Sequence, residues 1–272
     1  MIPVLLVALS VAPPASAAEM RTEIRIGGTG GAMKAISLLA DEFRKSHPGI
    51  DFKVIYTLGT SGGLRALGAG GLDLSISSRP LKNSERSQGL REMEYARTPF
   101  VFAVSKKSRV SEITFAQLVD IYSGRLMKWP DGAPIRVVMR PASDTDTDEL
   151  KKMSAEMKKA VEGALSREGS IMAIRDDEAV DALEKIAGSI GPSTLGIILS
   201  EQRQLKALTL DGAKPTVENI AQGRYPYFKQ RFLITRGVPS APVQAFISFI
   251  NSEKGRKILS QTGHWVVKDT LK

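Results

Sequence analysis

The sequence predicts an α/β fold whose sheets are mainly parallel and flanked by helices. Two observations carry that expectation. Apolar residues switch repeatedly between the two-residue period of strands and the 3.6-residue period of helices, in the order strand, loop, helix. Glycine-rich turns sit where the strands hand over to the helices. The composition is ordinary for a globular chain: 272 residues, 42% hydrophobic, 25% charged, net charge +9. There is no cysteine, which excludes a disulfide framework, a thiolate metal site and a cysteine nucleophile. His47 and His264 are the only histidines, too few for a histidine-based metal site. The length admits one large domain or two modest ones.

The elements follow in order. Residues 2–11 are apolar apart from Ser10 and lead into Pro13-Pro14 and then Ala15-Ser16-Ala17, a small-x-small cleavage pattern. Residues 1–17 are therefore expected to be a signal peptide, too short to span a bilayer. Residues 22–26 alternate like a strand and run into Gly27-Gly28-Thr29-Gly30-Gly31. Met33, Ile36, Leu38, Leu39 and Phe43 then fall at helical spacing, ending near His47-Pro48-Gly49, where His47 reads as a cap. A second strand is expected at 50–56. A second glycine-rich loop, Gly59-Thr60-Ser61-Gly62-Gly63, opens a short helix through Leu67. A third strand at 72–76 ends in Ser77-Ser78-Arg79-Pro80.

Residues 100–104 form another apolar strand, and Thr114 caps a helix carrying Phe115, Leu118, Val119 and Tyr122. A strand at 135–139 runs into Arg140-Pro141-Ala142-Ser143-Asp144-Thr145-Asp146-Thr147-Asp148. One charged helix is expected over 149–165, with Lys152/Glu156 and Lys158/Glu162 at the favourable four-residue spacing on a solvated face. A helix at 178–187, strands at 195–199, 207–210 and 232–235, and a terminal helix at 243–250 complete the pass. His264 and Trp265 are expected to serve packing.

A glycine-rich turn feeding a helix N-terminus presents free N–H groups and the positive end of the helix dipole, which suits an anion. Two such turns carry hydroxyls, Thr29 in one and Thr60 with Ser61 in the other. Two further strand ends add Ser78 with Arg79, and Arg140 with Ser143 and Thr145. In an open α/β sheet these strand ends lie together where ligands bind. Gly28-Thr29-Gly30 lacks the last glycine of the dinucleotide fingerprint, because Met33 stands there, and no Gly-Lys-Ser/Thr marks a P-loop.

The ordered set of segments resembles the phosphate-binding proteins of the phosphate ABC importer. The set comprises Ile24-Arg25-Ile26-Gly27-Gly28-Thr29-Gly30, Ala40-Asp41-Glu42-Phe43, Gly59-Thr60-Ser61-Gly62-Gly63 and residues 72–81. It continues through Tyr122-Ser123-Gly124-Arg125, residues 134–140, Gly188-Ser189-Ile190-Gly191 and residues 215–226. The resemblance implies a two-lobed class II periplasmic binding protein, with two crossing strands joining the lobes. Lobe one would be residues 18–100 plus 231–272, and lobe two 101–230. It implies Thr29, Gly30, Thr60, Ser61, Gly62, Ser78, Arg79, Arg140, Ser143, Asp144, Thr145 and Asp146 as ligand-binding residues. It further implies a small oxyanion ligand, phosphate foremost, and an ABC transporter permease as partner. The protein would be monomeric and periplasmic or secreted, with no catalysis, no cofactor, no nucleic acid and no stable membrane insertion.

The chain departs from the family where it matters chemically. The family often has Asp where Ser78 stands, and a Ser-Gly-Thr turn where Asp144-Thr145-Asp146 falls here. Two ionised carboxylates repel a divalent anion and cannot donate hydrogen bonds to it. One Asp could take over the proton-accepting role. The loop could be shifted at Pro141, turning Ser143 inward. Or the ligand could be different, with a cationic or hydroxyl part. A second buried Asp would need a donor, for which Arg79 is the candidate. Two other classes stay open. One is a signalling or scaffold protein of the same fold. The other is a phosphatase, since Asp144-Thr145-Asp146-Thr147 spells the D-x-D-x-T motif of aspartyl-phosphate enzymes.

Overall fold

The computed structural model describes residues 22–168 and 170–267. The expected signal peptide lies outside the described residues. Strand β1 (Thr22–Gly28) pairs in parallel with β2 (Ile50–Ile55) and β3 (Leu74–Ser77). Helices α1 (Gly30–Arg44) and α2 (Gly59–Gly68) make the connections. Met33, Ile36, Leu39 and Phe43 form the buried stripe of α1, as their spacing predicts. The short α3 (Asn83–Arg86) leads into β4 (Leu90–Ser105), a strand of 16 residues.

The chain then builds a second set of elements. These are β5 (Glu112–Ile113), α4 (Phe115–Ser123), β6 (Arg136–Met139), α5 (Thr145–Met153), α6 (Ala155–Leu165), β7 (Ile171–Met172) and α7 (Asp176–Lys185). After them come β8 (Ser189–Thr194), α8 (Leu195–Ser200), β9 (Leu205–Ala207), β10 (Thr209–Leu210) and α9 (Val217–Ala221). Strand β11 (Phe228–Arg236) returns to the first set, which closes with α10 (Ala241–Ile250), α11 (Glu253–Gln261) and β12 (Trp265–Val266).

The main strand path is β2-β1-β3-β11-β4-β8-β6-β7. It is a mixed sheet. Pairing is parallel at β1–β2, β1–β3, β6–β7 and β6–β8, and antiparallel wherever β4 or β11 takes part. One half of β4 pairs with β11 and the other half with β8, so β4 and β11 are the strands that cross between two lobes. The apolar cores are separate. Ile24, Met33, Phe43, Leu74, Leu233 and Phe246 pack together on one side, and Phe102, Leu118, Tyr122, Met157, Val161 and Ile190 on the other. Tyr225 donates its hydroxyl to the Phe100 carbonyl at 2.8 Å and locks the start of the return strand to β4.

Several elements differ from their sequence expectation, each for a local reason. Strand β4 begins at Leu90 rather than near Phe100. Charged Arg91, Glu92, Glu94 and Arg97 interrupt its apolar pattern, but β11 supplies a backbone partner along this whole half. The charged helix is two helices, because Ser154 leaves helical geometry and its hydroxyl caps α6 by accepting from Met157 N–H at 3.0 Å. Lys152 and Glu156 thus fall on different helices, and Lys152 pairs with Glu149 at 2.8 Å instead. Residues 195–199 are helix, not strand: Thr194 caps α8 through Ile197 N–H, and the strand is the preceding β8. Gly188 leads into it at φ +76°, where a Cβ would lie 2.1 Å from the Pro134 carbonyl oxygen, so only glycine fits. Ser252 starts a further helix, α11, beyond the expected last one.

His264 and Trp265 do pack. Trp265 stacks on the Arg97 guanidinium at 5.3 Å. The His264 ring fills the space beside Gly196, where a Cβ would approach to 2.9 Å of its Cε1. Burial, with the nearby Arg231 charge, pushes the His264 pKa down to about 3. The folded protein therefore holds it neutral, while the unfolded chain takes up a proton near the ordinary value of about 6.5. Its stabilising contribution is complete above that value and is lost as pH falls towards the depressed one. The cost between pH 7 and pH 5 is about 2 kcal/mol. Urea unfolding at both pH values should show this extra loss in the wild type and not in His264→Gln. Equal pH dependence in the two proteins would contradict the assignment.

Candidate functional site

The two lobes face each other across a cleft of about 900 Å³. Lobe one contributes Thr29, Gly30, Thr60, Ser61 and Gly62, all at helix N-termini. Lobe two contributes Arg140, Ser143, Asp144 and Thr145, from the end of β6 and the start of α5. Both glycine-rich turns thus open into the same space. The second is not a loop before a helix but the first turns of α2 itself. Two of the glycines make this convergence possible. Gly28 has φ +140°, and a Cβ there would collide with the Ile76 backbone at 2.0 Å. A Cβ on Gly63 would reach 2.6 Å from Gly28 Cα. Helix α2 therefore packs directly on the ends of β1 and β3. Neither Thr29 nor Leu58 caps its helix with a side chain, so the first N–H groups of α1 and α2 depend on other acceptors.

A chain of hydroxyls runs across the cleft floor. Thr60 Oγ1 lies 3.0 Å from Ser78 Oγ, which lies 3.1 Å from Thr145 Oγ1. Lys229 Nζ donates to Thr145 Oγ1 at 2.7 Å and to Asp146 Oδ1. Thr60 and Ser78 belong to lobe one, Thr145 and Asp146 to lobe two, and Lys229 to the crossing strand β11. The chain therefore links both lobes to a strand that crosses between them.

Arg140 is the charged centre of the site and is only 3% exposed. Its Nη1 donates to the Ala173 carbonyl at 3.0 Å, and its backbone carbonyl accepts from Thr147 Oγ1 at 3.0 Å. Its Nη2 donates to Asp144 Oδ2 at 2.9 Å and to Asp176 Oδ1 at 3.4 Å. Its Nε stands 3.9 Å from Asp146 Oδ2, too far for a hydrogen bond. Burial works against the charge, but Asp176, Asp146 and Asp144 together outweigh it and hold the guanidinium protonated.

The two aspartates of the binding turn separate into different roles. Asp144 is the N-cap of α5. Its Oδ1 accepts from Asp146 N–H at 2.8 Å, and the carboxyl faces the cleft. Burial first, and the Asp146 charge second, raise its pKa above the usual carboxylate range. Asp146 is buried behind the turn. Burial opposes its ionisation, but Lys229 and then Arg140 prevail and hold its pKa below the usual range. The donor of the second buried Asp is thus Lys229, not Arg79, whose guanidinium grips Glu85 at 2.8 and 2.7 Å. Arg79 and Ser78 border a separate pocket of about 350 Å³ beside the cleft. Asp146 does not line the main cleft, whereas Ser143 does, at its exposed rim. The D-x-D-x-T segment forms no nucleophile with an acid partner, because Asp144 caps a helix and Asp146 is ion-paired with Lys229.

Sequence reasoning missed Lys229, Arg231 and Asp176. Lys229 and Arg231 lie two apart on β11, so both face the same way, and both are buried. Two basic residues at that spacing, just before the apolar run Phe232-Leu233-Ile234, were the available signal. Asp176 stands among Arg175, Asp177 and Glu178 at the start of α7, where acidic residues ordinarily serve the helix dipole.

Known proteins place this geometry. A family profile described as the PBP superfamily domain matches residues 13–254. The chain belongs to the PBP superfamily. It is 26% identical over 249 residues to the phosphate-binding protein PstS of Borreliella burgdorferi, covering 88% of this chain and 89% of that one. It is 24% identical over 256 residues to PstS of Bacillus subtilis, covering 90% and 81%. Among solved structures it is similar to a putative phosphate ABC transporter substrate-binding protein from Clostridium perfringens with bound phosphate. That match has a TM-score of 0.77 and 22% identity, and covers 91% of this chain and 100% of that one. An ABC-type phosphate transport receptor from Vibrio cholerae matches with a TM-score of 0.63 and 22% identity, covering 89% and 99%. The two-lobed α/β architecture is therefore that of the superfamily.

Within this superfamily frame, the Lys229–Asp146 pair is a feature of the chain's own interior with a measurable cost. Lys229→Met leaves a buried carboxylate without its partner and should lower unfolding free energy by about 3–5 kcal/mol. Lys229→Met combined with Asp146→Leu should recover most of that loss. Chemical denaturation of the single and double variants checks it, and a double variant no more stable than the single one would speak against the pairing.

Proposed function

We propose that the chain captures phosphate or a closely related small oxyanion between its two lobes and delivers it to an ABC transporter permease, without catalysis. The observation that carries this reading is Arg140. It is a buried guanidinium in the cleft that the N-termini of α1, α2 and α5 and the residues Thr60 and Thr145 also line. Helix N-termini, hydroxyl donors and one arginine are the means by which proteins hold a desolvated oxyanion. The relatives' names support it, as does the phosphate in the Clostridium perfringens structure.

The lobes in this reading are residues 18–100 plus 231–272 and residues 101–230, with β4 and β11 as the hinge. The protein works as a monomer outside the cytoplasm after loss of residues 1–17. Among the described residues no helix is long and apolar enough to cross a membrane. The direct ligand contacts are Thr29, Gly30, Thr60, Ser61, Gly62, Arg140, Ser143, Asp144 and Thr145, together with the Gly31 N–H. Ser78 and Asp146 act from behind them, while Arg79 is engaged by Glu85.

Asp144 takes over the handling of the ligand's proton. Its raised pKa lets it take a proton more readily than an ordinary carboxyl, and an approaching anion raises it further. The protonated carboxyl donates a hydrogen bond, whereas the ionised one repels the ligand. Binding is therefore coupled to proton uptake, and affinity rises as pH falls through the Asp144 titration.

Calorimetry on the purified protein with phosphate, sulfate and related oxyanions tests the reading. Arg140→Ala should weaken phosphate binding by about 2–5 kcal/mol. Unchanged affinity would remove Arg140 from the site. In a pH range where phosphate stays monoanionic, wild-type affinity should rise on acidification. Asp144→Ser, which keeps a helix cap, should bind phosphate more tightly and with little pH dependence. A wild type whose affinity is flat over that range would contradict the role given to Asp144.

A further inference from the structure

We propose that Asp176 is a tethered anion: an internal stand-in for the ligand that holds the lobes together when the cleft is empty and that an incoming oxyanion must displace. Asp176 opens α7 in lobe two, but its carboxylate reaches across the cleft. Oδ2 accepts from Gly31 N–H in the first turn of α1 at 2.8 Å. Oδ1 lies 3.4 Å from Arg140 Nη2. One carboxylate thus uses both kinds of donor that a bound oxyanion needs, a helix N-terminal amide from lobe one and the guanidinium from lobe two.

The approach is close and built into the backbone. A Cβ on Gly30 would stand 2.7 Å from Asp176 Oδ2, so an Ala at this position would push the carboxylate away. Behind the first turn of α1 lies the guanidinium of Arg231, 1% exposed, whose Nη2 is 3.5 Å from the Gly31 carbonyl. Its Nε and Nη1 have no hydrogen-bond partner among the described residues. A buried cation without a hydrogen-bonded counter-ion favours negative charge on the near side of that turn. Asp176 supplies one such charge. A bound oxyanion would supply another in its place, so exchange of the two keeps the balance.

The remaining carboxylates at Arg140 do not share this geometry. Asp144 stays on its own lobe and caps α5, and Asp146 is held by Lys229. Asp176 alone among the Arg140 partners bridges the lobes. It also cannot coexist with a ligand atom on Gly31 N–H. Occupancy of the site is then a competition, and the resting affinity is set by how strongly the tether binds its own cleft.

The test uses the full mature chain as wild type, Asp176→Ala and Asp176→Asn, with circular dichroism to confirm folding. Small-angle X-ray scattering without ligand reads the tether by itself. The radius of gyration should be larger in Asp176→Ala than in the wild type, with Asp176→Asn between them. Added inorganic phosphate should shrink the Ala variant back and change the wild type little. Calorimetry with inorganic phosphate should then show at least tenfold tighter binding by Asp176→Ala. This second arm rests on the oxyanion reading; the first does not. An unchanged radius of gyration in ligand-free Asp176→Ala overturns the tether. So does phosphate affinity that is equal or weaker in that variant, the outcome expected if Asp176 only cross-links the fold. If no protein binds phosphate, the ligand assignment fails and the scattering result still decides the tether.

Discussion

A guanidinium shut away from water has to be surrounded by acceptors, and Arg140 imposes that constraint on the cleft. Its charge is satisfied from three directions: by the N-cap of α5, by the buried Asp146 and by a carboxylate from the start of α7. Each of those partners is fixed by something further out. Asp144 is oriented by the Asp146 N–H it caps, Asp146 by Lys229 on the crossing strand, and Asp176 by the first turn of α1. The site is therefore not a patch on one lobe. It is a network whose members come from both lobes and from the strand between them, so its charge state and the lobe geometry are coupled.

That coupling accounts for the departure from the phosphate-binding pattern at Asp144-Thr145-Asp146. Two carboxylates would repel an anion if both faced it with full charge. Here they do not. One is neutralised from behind by a lysine, and the other is pushed towards its protonated form by burial and by its neighbour. The chain keeps the arginine, the hydroxyls and the helix N-termini. On the proposed reading, Asp144 is the group that carries the proton.

Most of the alternation of strands and helices, the parallel pairing within each half and the convergence of glycine-rich turns were legible because they depend on local signals: periodicity, caps and turn residues. The placement of Arg140, Thr60 and Thr145 at the cleft was legible for the same reason, since each sits at a strand end or helix start. Ser154 carried a readable N-cap signal as well, but a run of charges at helical spacing masked the break. Strand β4 was half hidden because its charged residues are held by pairing with β11, more than 120 residues away. Lys229 and Arg231 were not legible as site residues. Their roles depend on where the return strand crosses, and a basic residue in a strand reads as surface until its partners are placed. Asp176 is the clearest case. Nothing local distinguishes it from Asp177; the packing of α7 beside β6 gives it Arg140, and only the closure of one lobe on the other gives it Gly31.

A crystal structure of the protein grown with inorganic phosphate tests the central claim most directly. The account predicts phosphate oxygens within hydrogen-bond distance of Arg140, Thr145 and the Gly31 N–H, with the Asp176 carboxylate displaced from α1. A structure at saturating phosphate in which Asp176 still bridges Gly31 and Arg140, with no anion between the lobes, would contradict it.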